Sequence, residues 1–76
     1  MSSHYNEIKE KRQILRDIYG GMMTIADLTK ELGYNSPKST RAWLATVAVE
    51  AVKVGRGLRY ETDQVAKAIV DGRGMV

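Results

Sequence analysis

Three punctuation marks fall between residues 24 and 37 of this 76-residue chain, and they constrain everything around them. Thr24 with Asp27 three residues on has capping-box spacing, in which hydroxyl and carboxylate each take a backbone N–H at a helix start. Gly33 supplies the left-handed residue that stops a helix. Ser36-Pro37 starts another, serine as N-cap and proline in the first turn, where its missing N–H costs nothing. Between the first two marks Ile25, Leu28 and Leu32 recur on one helical face. The chain is expected to run helix, turn, helix from residue 24.

The second helix is expected over residues 37–47. At 100° per residue, Thr40, Trp43, Leu44 and Val47 share a side with Pro37 and make the core face. The opposite side carries Lys38, Arg41, Ala42 and Ala45, with Thr46 at its margin. Two cations followed by alanines make a basic, nearly smooth surface. A helix entering a DNA major groove wants that combination: long cations reach phosphates or guanine edges, and small side chains let the backbone come close. An ordinary solvated face reads the same way, and this helix alone does not separate the two.

Ala51-Val52-Lys53-Val54 alternates as a strand, Gly55-Arg56-Gly57 is expected to turn, and Leu58-Arg59-Tyr60 returns. In that register Val52, Val54, Leu58 and Tyr60 face inward, Lys53 and Arg59 face outward, and Arg56 sits at the tip. The fold expected is mainly α with a small β-hairpin. A basic hairpin beside a helix-turn-helix describes a winged helix, whose wing touches DNA next to the recognition helix. The competing reading is a hairpin that only closes the core and is basic for solubility.

The run TIADLTKELG, then STRAWL, then AVKVGRGLRY and a short helix resembles the excisionase-like branch of the MerR-type winged-helix DNA-binding domains. The resemblance covers about residues 23–70 and is sharpest in VKVGRGLRY. It implies sequence-specific binding of double-stranded DNA without catalysis, as in phage and mobile-element excisionases, prophage regulators and terminase DNA-binding domains. The chain departs from the family pattern in two places. The YNSP turn is a residue longer, and Val47-Ala48-Val49 stands where a glycine commonly ends the recognition helix. The first twenty residues lie outside that pattern.

The remaining chain is read as one domain, 1–76, with an N-terminal helix in 1–21, the helix-turn-helix and wing in 22–60, and a C-terminal helix in 61–72. Residues 5–19 are expected to be helical, with Tyr5, Ile8, Leu15, Ile18 and Tyr19 on one side. That helix either covers the back of the core or binds a partner: a second copy, a recombinase or a transcription protein. Met22 and Met23 are read as core gap-fillers. Thr62 is the expected cap of the last helix, Asp63 suits its N-terminus, Val65, Ala68 and Ile69 face inward, and Asp71-Gly72 ends it.

Charge is distributed unevenly. The net charge is only +3, yet from residue 38 to 59 five cations (Lys38, Arg41, Lys53, Arg56 and Arg59) oppose Glu50 alone. The rest of the chain holds seven cations and eight anions. The positive excess lies where phosphate contact is expected. With no cysteine and a single histidine, His4, neither a thiolate metal site nor a multi-histidine one is available. Asp27 and Glu31 are i,i+4 carboxylates beside Lys30 on a solvated face. Gly55-Arg56-Gly57 lacks the Gly-Lys-Ser/Thr ending of a phosphate loop, and Ser36, Ser39 and Thr40 have no general base nearby in sequence. No enzymatic activity, cofactor or metal is expected. The charged opening residues and the short apolar run at 42–49 give no signal peptide or membrane span, so a cytoplasmic protein is expected.

The candidate DNA-binding residues follow. Arg41 is assigned to reading guanine, Lys38 and Ser39 to phosphates or a base edge near the helix start, and Ala42 and Ala45 to close approach. Lys53, Arg56 and Arg59 are assigned to the flanking backbone or minor groove. The alternative function is a protein-interaction adaptor that keeps the winged scaffold without using DNA.

Overall fold

Leu15 is the residue around which the N-terminal half closes: it is the fully buried residue of α1 (Ser3–Tyr19) and sits in the central apolar cluster. The structure is a computed structural model that describes residues 3–74. After α1 come β1 (Met22–Met23), α2 (Ile25–Leu32), α3 (Pro37–Leu44), β2 (Ala51–Val54), β3 (Gly57–Glu61) and α4 (Thr62–Gly74). The architecture is mainly helical with one three-stranded antiparallel sheet in the order β1-β3-β2. The hairpin expected from the sequence thus gains a third strand, with Met23 opposite Tyr60 and Met22 opposite Glu61.

The core joins Leu15, Met23, Leu28, Tyr60, Val65 and Ala66, with Tyr19, Ile25, Leu44, Val49 and Ile69 packed against it. Every element except β2 contributes to that cluster. The domain is small, so each member counts. Truncating one such aliphatic costs about 2–5 kcal/mol, against a whole-domain stability on the order of 5–15 kcal/mol.

Helix α1 buries a narrower stripe than its sequence pattern predicts. Ile8, Leu15 and Tyr19 turn toward the body, while Ile18 is 61% exposed and Tyr5 is also exposed. The reason is that α4 is the element packed along α1, and the flank bearing Ile14 and Ile18 meets no comparable neighbour. Arg16 clamps the pair by a two-pronged contact to Asp63, Nε to Oδ1 at 2.7 Å and Nη2 to Oδ2 at 3.0 Å. On the other side Lys11 and the Tyr19 hydroxyl both donate to Glu31 of α2, each at 3.1 Å. Burial, helped by that Glu31 hydrogen bond, raises the Tyr19 phenol above its usual range.

Two expectations for the C-terminal helix are corrected. Thr62 does not cap α4 with its side chain. It is fully buried, its hydroxyl donates to the Gly20 carbonyl at 2.7 Å, and its N–H donates to the Gly21 carbonyl at 3.0 Å. The threonine therefore ties the start of α4 to the turn after α1. The helix also runs through Gly72 to Gly74 instead of stopping at 71–72. Its fully buried apolar residues are Val65, Ala66 and Val70, with Ala68 and Ile69 half-buried. As for the two methionines, Met23 is buried as a core filler and Met22 stays exposed.

Candidate nucleic-acid interface

Local signals place α3. Thr24 and Asp27 form the reciprocal capping box, each contact at 3.0 Å, so α2 starts where the sequence marks it. Gly33 closes α2 with φ 75°, and the Tyr34 N–H reaches back to the Thr29 carbonyl at 3.1 Å, a Schellman-type ending. Ser36 then takes the extended N-cap conformation before Pro37, although its side chain makes no capping hydrogen bond. The first turn of α3 is thus left without a side-chain cap.

A pair of threonines fixes how α3 is rotated against α2. The Thr29 hydroxyl lies 2.7 Å from the Ile25 carbonyl and 2.6 Å from the Thr40 hydroxyl. A hydroxyl has one proton, and Thr29 spends its proton on the carbonyl. Thr40, which is fully buried, must therefore be the donor between them. With Thr40 pointing into the body, the opposite face of α3 points out. Lys38, Ser39, Arg41 and Ala42 are all exposed on the helix, and Ala45 is exposed at its C-cap.

Helix α3 ends at Leu44, three residues before the expected limit. Continuing the helix would require the Val47 N–H to take the Trp43 carbonyl. Thr46 takes it instead, with its N–H at 2.9 Å and its hydroxyl at 2.7 Å. This tightened turn ends the helix without a glycine. Farther on, the Gln64 side-chain carbonyl accepts the Glu50 N–H at 3.0 Å and holds the entry to β2 against α4.

The hairpin differs from its sequence reading by one register step. The turn is the two residues Gly55-Arg56, not three, so Val54 pairs with Gly57, Lys53 with Leu58, Val52 with Arg59 and Ala51 with Tyr60. Cross-strand partners share a face, and a one-residue slip exchanges faces. Val52 and Val54 therefore lie with Arg59 on the outer face, opposite the buried Tyr60. Lys53 shares the Tyr60 face with Leu58, which is half exposed. Gly55 has φ 61° and no other residue of the turn has positive φ, the pattern of a type II′ turn opened by Gly-X. Arg59 remains on the outer face but folds back. A Cβ on Gly57 would meet its Nη1 at 2.7 Å, and that nitrogen donates to the Leu58 carbonyl at 3.1 Å.

Among the described residues, Lys38, Arg41, Lys53, Arg56 and Arg59 have no carboxylate within ion-pair distance, as is also true of Lys9, Arg12 and Lys30, whereas Lys11, Arg16 and Lys67 do. Fixed cations without anions of their own leave charge available for an external polyanion. Sequence reasoning also missed a groove of about 400 Å³ behind α3, where Trp43, Val47 and Ala48 face Gln64 and Ala68 of α4. It lies where α3 stops early and the chain between Thr46 and Ala48 runs beside α4. No helix among the described residues is long and apolar enough to cross a membrane. Compared with known proteins, the chain matches no family model, no curated protein and no solved structure.

Proposed function

We propose that this chain is a winged helix-turn-helix protein that binds double-stranded DNA, α3 serving as recognition helix and the β2–β3 hairpin as wing. It acts through binding, as an architectural factor or transcriptional regulator of the excisionase-like kind, without catalysis of its own. The observation that carries this reading is the grouping of five cations without an ion pair on α3 and the hairpin, a stretch in which Glu50 is the single anion between residues 38 and 59. The order α1-β1-α2-α3-β2-β3-α4 with sheet order β1-β3-β2, and the VKVGRGLRY resemblance, support it further.

In this mechanism α3 lies in the major groove. Arg41 reads a guanine edge through its fork of donors, and Ala42 and Ala45 allow the backbone near. Lys38, Ser39 and the uncapped first turn of α3 hold a phosphate, since free N–H groups at a helix start favour an anion. Lys53, Arg56 and Arg59 anchor the hairpin on the flanking strand. The test is a fluorescence-anisotropy titration of mixed-sequence duplex DNA at two salt concentrations, with the Arg41→Ala/Arg56→Ala double variant alongside. Binding that weakens steeply with salt and drops in the variant is expected. A folded sample that ignores duplex DNA at low salt rejects the reading.

One observation favours the adaptor alternative. Ile14 and Ile18, one turn apart on α1, are 51% and 61% exposed. Under that reading Ile14→Ser/Ile18→Ser abolishes partner capture while Arg41 and Arg56 charge reversals leave it intact. Leu15 and Ile8 are unsuitable probes, because Leu15 is in the core and Ile8 is half-buried.

A further inference from the structure

Strand β2 is the outermost strand of the sheet, and all four of its residues are exposed. The hairpin register fixes which of its backbone groups are free. Residues that flank a two-residue turn exchange hydrogen bonds, and along an antiparallel ladder such pairs alternate with pairs that do not. Val54 with Gly57 and Val52 with Arg59 are therefore the bonded pairs. Ala51 and Lys53 turn their N–H and C=O groups away from β3, to the open edge. The Glu50 N–H agrees with this alternation: it points to the β3 side, where Gln64 of α4 accepts it at 3.0 Å.

A proline, a bulge or a repelling charge blunts an open edge against other strands. The run AVKV holds no proline, and its pairing with β3 is unbroken from residue 51 to 54. Lys53 is the single guard. A second copy of the chain offers the same open groups, and two antiparallel, two-fold registers match them over most of the strand. In one, Lys53 faces the partner's Lys53, and like charges directly opposite are destabilising. In the other, Val52 faces the partner's Val52, Lys53 faces the partner's Ala51, and Glu50 faces the partner's Val54. This register sets the longest side chain of β2 against the shortest. It also brings Glu50, the single anion between residues 38 and 59, diagonally beside the partner's Arg56. Lys53 thus selects a register rather than forbidding the pairing.

We propose that two copies of this chain join edge to edge through β2 in that second register. The two sheets become one, with Val52 against the partner's Val52 on the two-fold axis and Ala51 exchanging hydrogen bonds with the partner's Lys53. The contact is made by backbone groups, so it leaves the side chains of Lys53, Arg56 and Arg59 free and does not depend on the DNA-binding reading. A strand pair this short buries less than the roughly 1,200 Å² at which stable interfaces begin. The pairing is therefore transient between free copies and strengthens wherever two copies are held side by side.

The chain has no cysteine, so one introduced thiol reports the pairing by disulfide formation. Val52→Cys, Val54→Cys and Val52→Cys/Lys53→Pro are prepared in the full chain, with circular dichroism to verify folding; neither valine belongs to the buried cluster. In the proposed register the two Val52 Cα atoms form a non-bonded pair about 4.5 Å apart, within the span of a disulfide. The two Val54 positions lie well out of register and beyond that span. Val52→Cys is expected to form a covalent dimer roughly tenfold faster than Val54→Cys, since only its thiols meet in disulfide geometry. Lys53→Pro removes an N–H from the open edge and none from the β2–β3 ladder, so it should slow Val52→Cys to the rate of Val54→Cys. If the proline variant fails to fold, the two single-cysteine chains decide alone. Equal rates for those two, or a folded proline variant that links as fast as its parent, overturn the pairing and leave the edge to an extended segment of another protein. Preferential linkage of Val52→Cys to Val54→Cys in a mixture sets Lys53 against the partner's Lys53 and overturns the register.

Discussion

At the scale of single residues, two pairs separate roles that composition merges. Arg41 and Arg56 are both exposed and free of carboxylates, yet one lies on a helix face and the other in a turn. Arg41→Ala is expected to relax sequence preference at about 1–3 kcal/mol, measured as the ratio of affinities for selected and scrambled duplexes. Equal loss on all sequences would remove the base-reading role. Arg56→Ala should weaken all sequences together and lower the slope of log affinity against log salt by about 1. The threonine pair gives an asymmetry in stability. Thr40→Val removes a donor but leaves Thr29 bonded to the Ile25 carbonyl, so it should be close to neutral. Thr29→Val strips the acceptor from a fully buried hydroxyl and should cost about 1–3 kcal/mol in urea denaturation. Equal effects would mean that Thr40 turns to a carbonyl of its own helix.

At the scale of elements, the hairpin and the α1–α4 pair behave differently. Gly55 holds φ 61°, a left-handed conformation that a Cβ disfavours, although open space surrounds it. Gly55→Ala should cost about 1 kcal/mol or more through backbone strain alone, and should loosen the hairpin before the core, as amide exchange in β2 would report. The α1–α4 pair responds to acid. The hydrogen bond from Arg16 pulls Asp63 below its ordinary range, and the hydrogen bonds from Lys67 and then His4 do the same for Asp71. A carboxylate with a depressed folded-state pKa adds stability that is present above its unfolded value and disappears as pH falls through the folded one. Thermal midpoints should hold near neutrality and decline below about pH 4, modestly because both contacts are solvent-exposed. Asp63→Asn should flatten that decline.

At the scale of the molecule, short-range and long-range information part company. Helix starts and stops at Thr24, Gly33 and Ser36-Pro37 were legible because each is a contest among three or four neighbouring residues. The outward face of α3 was legible too, because a buried stripe of Thr40 and Leu44 leaves only one place for Lys38 and Arg41. Three features were not legible by the same means. The hairpin register depended on whether Gly55-Arg56 or Gly55-Arg56-Gly57 made the turn, and one residue of difference moved Val52, Val54 and Lys53 to the other faces. The end of α3 was decided by Thr46 taking the Trp43 carbonyl, a competition that apolar periodicity does not record. The exposure of Ile18 followed from how little of α1 its neighbours cover. What the sequence determined alone was the order and type of the helices and hairpin and the segregation of charge, because caps, glycines and helical period act within a few residues. The third strand, the strand register, the buried Thr62 and the aliphatics left in water at the hairpin tip were decided only in the tertiary structure. Each depends on which distant surface arrives to pair with or cover a residue.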